Sequence, residues 1–564
     1  MPSPFINVPK VIQARTLPLD LTSTYCQVLT MEQSTHIDDP INFDSKFPVR
    51  NLATVNLAGP NNLSNVVRLT SALKSTVIYA TLIIVLYYGI LAIYNIYLHP
   101  LRKFPGPKLR AASDWPYVVS LLRGTSPQDM LEMHKRYGRV VRVAPNELTF
   151  VSPAAWTEIY GQKRRGQDEL VKDKKYYSGM GEPTLLHSNQ EQHAHLRKLL
   201  AHGFSNSSLQ KQEAVIQKYL DILMNTLRHQ CQDGQSVLDL KDWVNFFVFD
   251  VIAYLTYGQS FNCLESRNVH SWIELVPKLA RFMALMQAAQ RLPIFIKPLF
   301  LLYGISTNLR SNVRTIQAIS KEKVDYRLNS RPMVPDFMEK LIDEYKDGRM
   351  TMYQLDSNAS FLMAAGSETL ATVLTHAVFQ LLTNPRTLEK LTAEIRTKFT
   401  CSAEITMSSV NECKYLLGCV EETMRIQAPS PATHPRYTNA TGAVIDGFQV
   451  PGNVAVGIPI YAACKSALNF YDAESYIPER WTGEDPLYSH DLREAARVFS
   501  LGPRDCLGRN LAYAELKLVI ARLVWHFNLE ACFDANWSDQ KVYMVWEKPP
   551  FMVKLVPVQS SWAT

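Results

Sequence analysis

From residue 76 to residue 98 the chain reads TVIYATLIIVLYYGILAIYNIYL, a run with no charged side chain and one asparagine near its end. A stretch this long and apolar can cross a bilayer as a helix, and its uncharged length argues against a buried core helix. Tyr94 and Tyr97 place amphipathic rings near one end, where a membrane interface would hold them. Arg102, Lys103, Lys108 and Arg110 follow the run closely, whereas only Arg68 and Lys74 lie near its start. By the positive-inside rule the chain after the run is cytosolic. The fold is thereby divided into an anchor and what hangs from it.

Residues 1–75 are rich in Asn, Thr, Ser and Pro and show no signal-peptide pattern at Met1. They read as an extension that is lumenal and poorly ordered, in which Asn62-Leu63-Ser64 would be a glycosylation acceptor. Residues 99–109 hold Pro100, Pro105, Gly106 and Pro107, a stiff hinge that cannot continue a helix. Residues 110–564 contain no Gly/Ser linker or low-complexity tract. They read as one large domain, although length alone would allow about three or four. A net charge of +7 without a long basic run excludes a nucleic-acid surface and leaves room for an acidic protein partner. Nine cysteines with no C-x-x-C pair exclude a disulfide framework and a zinc site, and suit a reducing compartment. Beyond the hinge the pattern is mostly helical, broken by strand-like runs at 140–143 and 147–150. A hairpin is expected at 443–445 and 448–450 across Asp446-Gly447. The fold class is mainly α with a smaller β region (α+β).

The chemistry concentrates near the C-terminus, in Phe499-Ser500-Leu501-Gly502-Pro503-Arg504-Asp505-Cys506-Leu507-Gly508-Arg509. A lone cysteine between glycines, just ahead of a helical pattern (Leu511, Ala512, Leu516, Val519, Leu523), suits a thiolate ligand for haem iron. The glycines would let the backbone turn tightly beside a flat macrocycle. The helix N-terminus would favour the anionic sulfur. Elsewhere Glu422 and Arg425, at i and i+3, share a helix face and can pair. Gly366 interrupts an apolar helical pattern from about residue 355 to 382, where glycine costs about 1 kcal/mol relative to alanine. Glu368 and Thr369 follow it, an acid and a hydroxyl of the kind that relays protons. His193 and Arg197 share another helix face.

Together these motifs resemble the cytochrome P-450 family of haem-thiolate monooxygenases, whose loop pattern Phe-x-x-Gly-x-Arg-x-Cys-x-Gly is matched here at each fixed position. The resemblance implies a cytochrome P-450 fold behind a single transmembrane helix, with haem b as cofactor and Cys506 as its axial iron ligand. Arg504, Arg197, His193 and Arg436 would hold the haem propionates, and Phe499 would pack near the sulfur. Arg480, in Pro478-Glu479-Arg480-Trp481, would join Glu422 and Arg425 in a buried structural network. The helix would open at Gly366 to admit dioxygen and water, with Glu368 and Thr369 delivering protons. Leu370 stands where many relatives carry a second hydroxyl. Asn358, Phe361, Leu362, Ala365, Ala432, Thr433 and His434 would line the substrate pocket.

By the same resemblance the partners are O2, an apolar small molecule, the endoplasmic-reticulum membrane and an NADPH-dependent flavoprotein reductase. No G-x-G-x-x-G follows a strand, so electrons must come from that separate protein, met near Lys198, Arg197 and Arg509. The hinge and the 478–481 segment are similar to filamentous-fungal enzymes of secondary metabolism, the isotrichodermin hydroxylase-like group being suggested. The implied reaction is hydroxylation or epoxidation of a terpenoid, polyketide or alkaloid. Alternatives are a haem-thiolate desaturase, coupling enzyme or isomerase, and a non-enzymatic membrane haem protein.

Overall fold

The computed structural model describes residues 60–163, 169–177, 184–304, 307–332 and 334–558. Residues 1–59, most of the expected extension, lie outside these. Helix Pro60–Tyr97 comes first. It starts before the expected anchor at 76–98, so residues 60–75 are helical and Asn62 sits in the first turn. Among the described residues two helices are long and apolar enough to cross a membrane. The apolar window of Arg68–Tyr97 is 0% buried and that of Met352–Thr383 is 61% buried. Burial makes the second a core helix and leaves the first as the membrane-anchor candidate. Residues through Leu82 form one unit and those from Ile83 onward another. Every candidate site residue belongs to the second unit.

The helix stops because Pro100 cannot continue it; the amides of Leu98 and His99 both fold back onto Tyr94 O (2.8 and 2.9 Å). The expected hinge is a fastened strap. Pro100–Lys103 forms a 3-10 turn capped by His99 Nδ1, and Leu101 and Phe104 are buried. Arg142 donates its amide to Pro105 O (2.7 Å) and its Nη1 to Asn95 O (2.8 Å), while Asn95 Nδ2 donates to Ala112 O (3.0 Å). A side chain on Gly106 would meet Arg142 O at 2.4 Å.

Among the described residues twelve short strands form four sheets. The largest joins β1 (Val140–Ala144), β2 (Glu147–Phe150), β8 (Ala455–Gly457), β5 (Arg436–Tyr437) and β3 (Val171–Lys172) in that order. Its β3–β5 register places Lys172 opposite Arg436. β6 (Ala443–Ile445) and β7 (Phe448–Val450) make the expected hairpin. Asp446 (φ 52°) and Gly447 (φ 77°) supply the two positive φ angles that a type I′ turn requires. β4 (Val237–Asp239), β12 (Met552–Pro557) and β9 (Phe527–Ala531) form a third sheet, and β10 (Val542–Tyr543) pairs with β11 (Val545–Trp546) in the fourth.

The main apolar core gathers around the central helix Met352–Thr383, against which Leu240–Tyr257, Lys414–Ile426 and Arg509–His526 pack. The central helix is continuous; it does not open at Gly366. The glycine has a packing reason instead. A Cβ there would lie 2.5 Å from Ile252 Cδ1 on the neighbouring helix, so glycine permits the close approach.

Candidate active site

The cysteine loop is built by backbone constraint. Gly502 takes φ +79°, and a Cβ on it would fall 2.1 Å from Tyr160 O, so only glycine fits. Ser500 is also left-handed, at φ 62°. The Cys506 amide donates to Phe499 O (2.8 Å), closing the loop ahead of helix Arg509–His526. Gly508 differs from Gly502. Its φ is −84°, and a Cβ would make only an ordinary 3.7 Å contact with Phe204, so nothing among the described residues demands glycine there. Cys506 is accessible, yet burial pushes its thiol up. The Gly508 amide and Arg509 pull it back only in part. The loop and helix start do not outweigh that burial; coordination to a metal ion would stabilise the thiolate. Phe499 packs at a 45° tilt against Tyr513 (5.2 Å between centroids), with the Arg509 guanidinium 5.7 Å over its ring.

Arg197 and Arg509 converge on Asp505, immediately before the cysteine. Arg197 Nη1 donates to Asp505 O (2.7 Å) and Nη2 pairs with its carboxylate; Arg509 Nη2 pairs with the same carboxylate at 2.9 Å. Arg197 thus clamps the loop rather than standing open to a ligand. Of the three cations expected to meet a partner, Lys198 alone is exposed without such a commitment to Asp505.

A separate charge network is fully buried. Glu422 accepts from Arg425 Nε and Nη2 (2.8 and 2.7 Å), Arg480 Nε (3.0 Å), the Ile477 amide (2.9 Å) and Trp481 Nε1 (2.7 Å). Arg480 also pairs with Asp491. These four charged side chains are at most 1% exposed. The sequence motifs pick out the glutamate and both arginines and miss Asp491. Charge balance is the signal that could have found it, because two buried guanidinium groups against one carboxylate leave a charge that burial cannot tolerate.

A second set of charges is not balanced. Lys172 on β3, His193 on helix Gln190–Ala201, Arg436 on β5 and Arg504 in the cysteine loop act on one another. Among the described residues Glu169 is the one carboxylate acting on them, and it pairs with Arg504 at 3.1 Å. Burial first, then Arg504 and Arg436, pushes Lys172 down to about 7. Burial, then Arg504 and Lys172, pushes His193 down to about 3. Arg436 donates to Tyr177 OH (2.8 Å) and Arg504 to Ser188 O (3.2 Å). Lys172 and Tyr177 carry no sequence signal, since neither stands in a motif. Surplus cations around a buried cleft suit a ligand bearing carboxylates, and the two propionates of haem b are of that kind. The donor set fits the cofactor.

On the central helix, Thr369 Oγ1 donates to Ala365 O (2.7 Å). Glu368 pairs with Lys548 and accepts from Thr372 Oγ1 (3.3 Å). Lys548 is a third residue without a sequence signal. Ala364 and Ala365 are exposed in mid-helix between more buried neighbours, whereas Leu362 belongs to the main core and Phe361 is half-buried. Asn358 is buried and spends both ends of its amide, accepting from the Leu185 amide (3.1 Å) and donating to Gln354 O (2.8 Å). It ties the 184–188 loop to the helix instead of offering a free polar anchor. Ala432 and Thr433 line a cleft with Tyr176, Gln287, Val542 and Met544. His434 stands beside that cleft, its ring 5.9 Å from Tyr176. Burial, then Arg436 and Lys172, pushes it down to about 4, so it is neutral near pH 7.

A cysteine presented at the head of a core helix, beside cations in excess, defines a haem-thiolate class of site. Comparison with known proteins names the family. The cytochrome P450 family model matches residues 110–555. The chain is 41% identical over 490 residues to cytochrome P450 monooxygenase hepD of Aspergillus oryzae, covering 84% of this chain and 94% of that one. It is 37% identical over 483 residues to cytochrome P450 monooxygenase cpaH, also of Aspergillus oryzae (85% and 93% covered). It is 37% identical over 475 residues to averantin hydroxylase of Dothistroma septosporum (82% and 88% covered). The chain belongs to the cytochrome P450 family, within a fungal group of secondary-metabolite monooxygenases. Its cofactor is haem b with thiolate ligation of the iron, and it is an oxidoreductase that incorporates oxygen from O2.

Proposed function

We propose that this enzyme inserts one oxygen atom of O2 into an apolar small molecule, by hydroxylation or epoxidation, in the biosynthesis of a fungal terpenoid, polyketide or alkaloid. The observation that carries the reading is the accessible Cys506 thiol on its Gly502 turn, next to the surplus cations Lys172, Arg436 and Arg504. Bound haem b supplies the activation of O2, with the thiolate feeding electron density to its iron. The chain does the rest. Cys506 would hold the iron, and Arg436, Arg504, His193 and Lys172 would receive the propionates. Arg197 secures the cysteine loop through Asp505, and Phe499 closes that loop over its backbone. Glu368 and Thr369 hold and pass protons beside the exposed surface of Ala365. Ala432, Thr433 and His434 bound the substrate cleft. The name of the averantin hydroxylase relatives supports hydroxylation over desaturation or coupling.

The proposed organisation is an anchor near residues 68–97, the 99–109 strap and a catalytic domain over 110–564. The domain sits on the cytosolic face of the endoplasmic reticulum and takes electrons from an NADPH-dependent flavoprotein reductase. Asn62 is a glycosylation site if residues before the anchor are lumenal. The test is the carbon monoxide difference spectrum of the reduced protein. Native enzyme shows the red-shifted Soret band of a thiolate ligand and Cys506→Ser abolishes it; a variant that keeps the band overturns the assignment. Thr369→Ala retains the band and sends reducing equivalents to hydrogen peroxide. Expression beside a reductase, with metabolite profiling against a strain lacking the gene, identifies the product.

A further inference from the structure

We propose that Lys548 is a positioning residue for Glu368, holding its carboxylate on the Thr372 side of the central helix and tying the proton-carrying acid to the hairpin that borders the substrate cleft. The inference rests on the reading of Glu368 as a proton carrier. The Lys548 side chain is 5% exposed and that of Glu368 16%. A lysine buried to that degree needs a carboxylate, and among the described residues Glu368 is its ion-pair partner. Lys548 Nζ also donates to Thr372 Oγ1 (2.8 Å), and Thr372 Oγ1 reaches Glu368 Oε1 (3.3 Å). The three groups close a triangle around one oxygen of the acid.

The lysine is itself held at both ends. Before it, Trp546 on β11 is buried and donates Nε1 to Ala428 O (2.8 Å). After it come Pro549 and Pro550, which restrict the backbone. Two positions before Trp546, Met544 (φ 71°) turns the β10–β11 hairpin; it lines the cleft beside Ala432 and Thr433 and accepts from Gln287 Nε2 at 2.8 Å. The residue that touches the cleft and the residue that holds the acid are therefore four positions apart on one short, anchored segment. Beyond Thr372 lies His376, its Nδ1 on Thr372 O (2.8 Å). Burial pushes it down to about 3, so it is neutral and brings no competing charge.

The experiment uses full-length enzyme reconstituted with reductase and NADPH, with no added substrate, and reads hydrogen peroxide released per NADPH oxidised. Lys548→Gln shifts the electrons from water to peroxide, raising the peroxide yield toward its ceiling of one per NADPH, Lys548→Arg restores it to near the native level, and the carbon monoxide spectrum is unchanged in both. In a Glu368→Gln background, Lys548→Gln adds nothing. A second readout is the infrared carboxylate stretch of Glu368, isolated by subtracting the Glu368→Gln spectrum; it shifts in Lys548→Gln. An unchanged peroxide yield in Lys548→Gln, or additive effects in the double variant, overturns the inference. A shifted carboxylate band together with a native peroxide yield in Glu368→Gln overturns the proton-carrier reading, and the positioning role falls with it.

Discussion

Two charged clusters, one around Glu422 and one that includes Arg504 of the cysteine loop, differ in one respect. Around Glu422, two carboxylates meet two guanidinium groups, every lone pair of Glu422 finds a donor, and no exposure remains. Around Arg436 and Arg504, basic groups crowd each other with Glu169 as their described acid, and the lysine among them is pushed down to about 7. A cluster that balances itself is finished on folding and serves the fold. A cluster left with like charges facing each other is strained by itself and relieved by an anionic ligand. The contrast separates structural from binding residues within a chain where both sets are buried arginines.

The largest effect is expected from breaking the balanced cluster. Glu422→Ala leaves Arg425 and Arg480 buried with a deficit of negative charge, at a cost of about 3–5 kcal/mol. The thermal midpoint drops and the purified protein retains little haem. Arg504→Met tests the other cluster. It removes a guanidinium that burial and Arg436 disfavour, together with its pair to Glu169, so the thermal midpoint of the haem-free chain falls by much less than in Glu422→Ala. Haem retention falls by roughly 10-fold or more, the worth of a charged hydrogen bond at about 1.5–3 kcal/mol. Transfer of haem to an acceptor protein measures it. If both kinds of variant lose stability alike, the distinction between the clusters is wrong.

The smallest effect is a pH dependence. Lys172 drops from an ordinary 10.5 to about 7 in the folded chain. Between those values the unfolded chain carries the proton and the folded chain does not, so this group makes the haem-free fold more stable as pH rises through the window. A carboxylate ligand needs the charged lysine, so haem binds with proton uptake above about pH 7 and is held less tightly as pH rises to 9, by at most about tenfold per unit. Haem-transfer rates across that range check the slope, and Lys172→Met flattens it.

Several parts of this site were legible because they are local. The spacing of Gly502, Arg504 and Cys506 is a backbone property, and so are the Glu422–Arg425 helix pair and the Asp446-Gly447 turn. Each is set by residues a few positions apart, which is the range over which dihedral preference and helix geometry act. The helix around Gly366 was legible as a helix but not in its detail. The reason for the glycine is Ile252, more than a hundred positions away in the chain. Asn358 reads as a polar wall from its helix position, yet its amide is consumed by Leu185 on a separate loop.

What the sequence determined by itself is the inventory: an uncharged apolar run long enough to span a membrane, a helical catalytic domain, and a cysteine in a turn that no other residue than glycine could shape. What the tertiary structure decided is pairing. Lys548 was chosen for Glu368 and Asp505 for Arg197 by folding, across separations at which no periodicity survives, and Asp491, though only 11 positions from Arg480, is brought to it by the folded segment between them. The physical reason is that a charge entering low dielectric must be matched by whichever group the fold brings within reach, and that group is specified by packing in three dimensions and not by position along the chain.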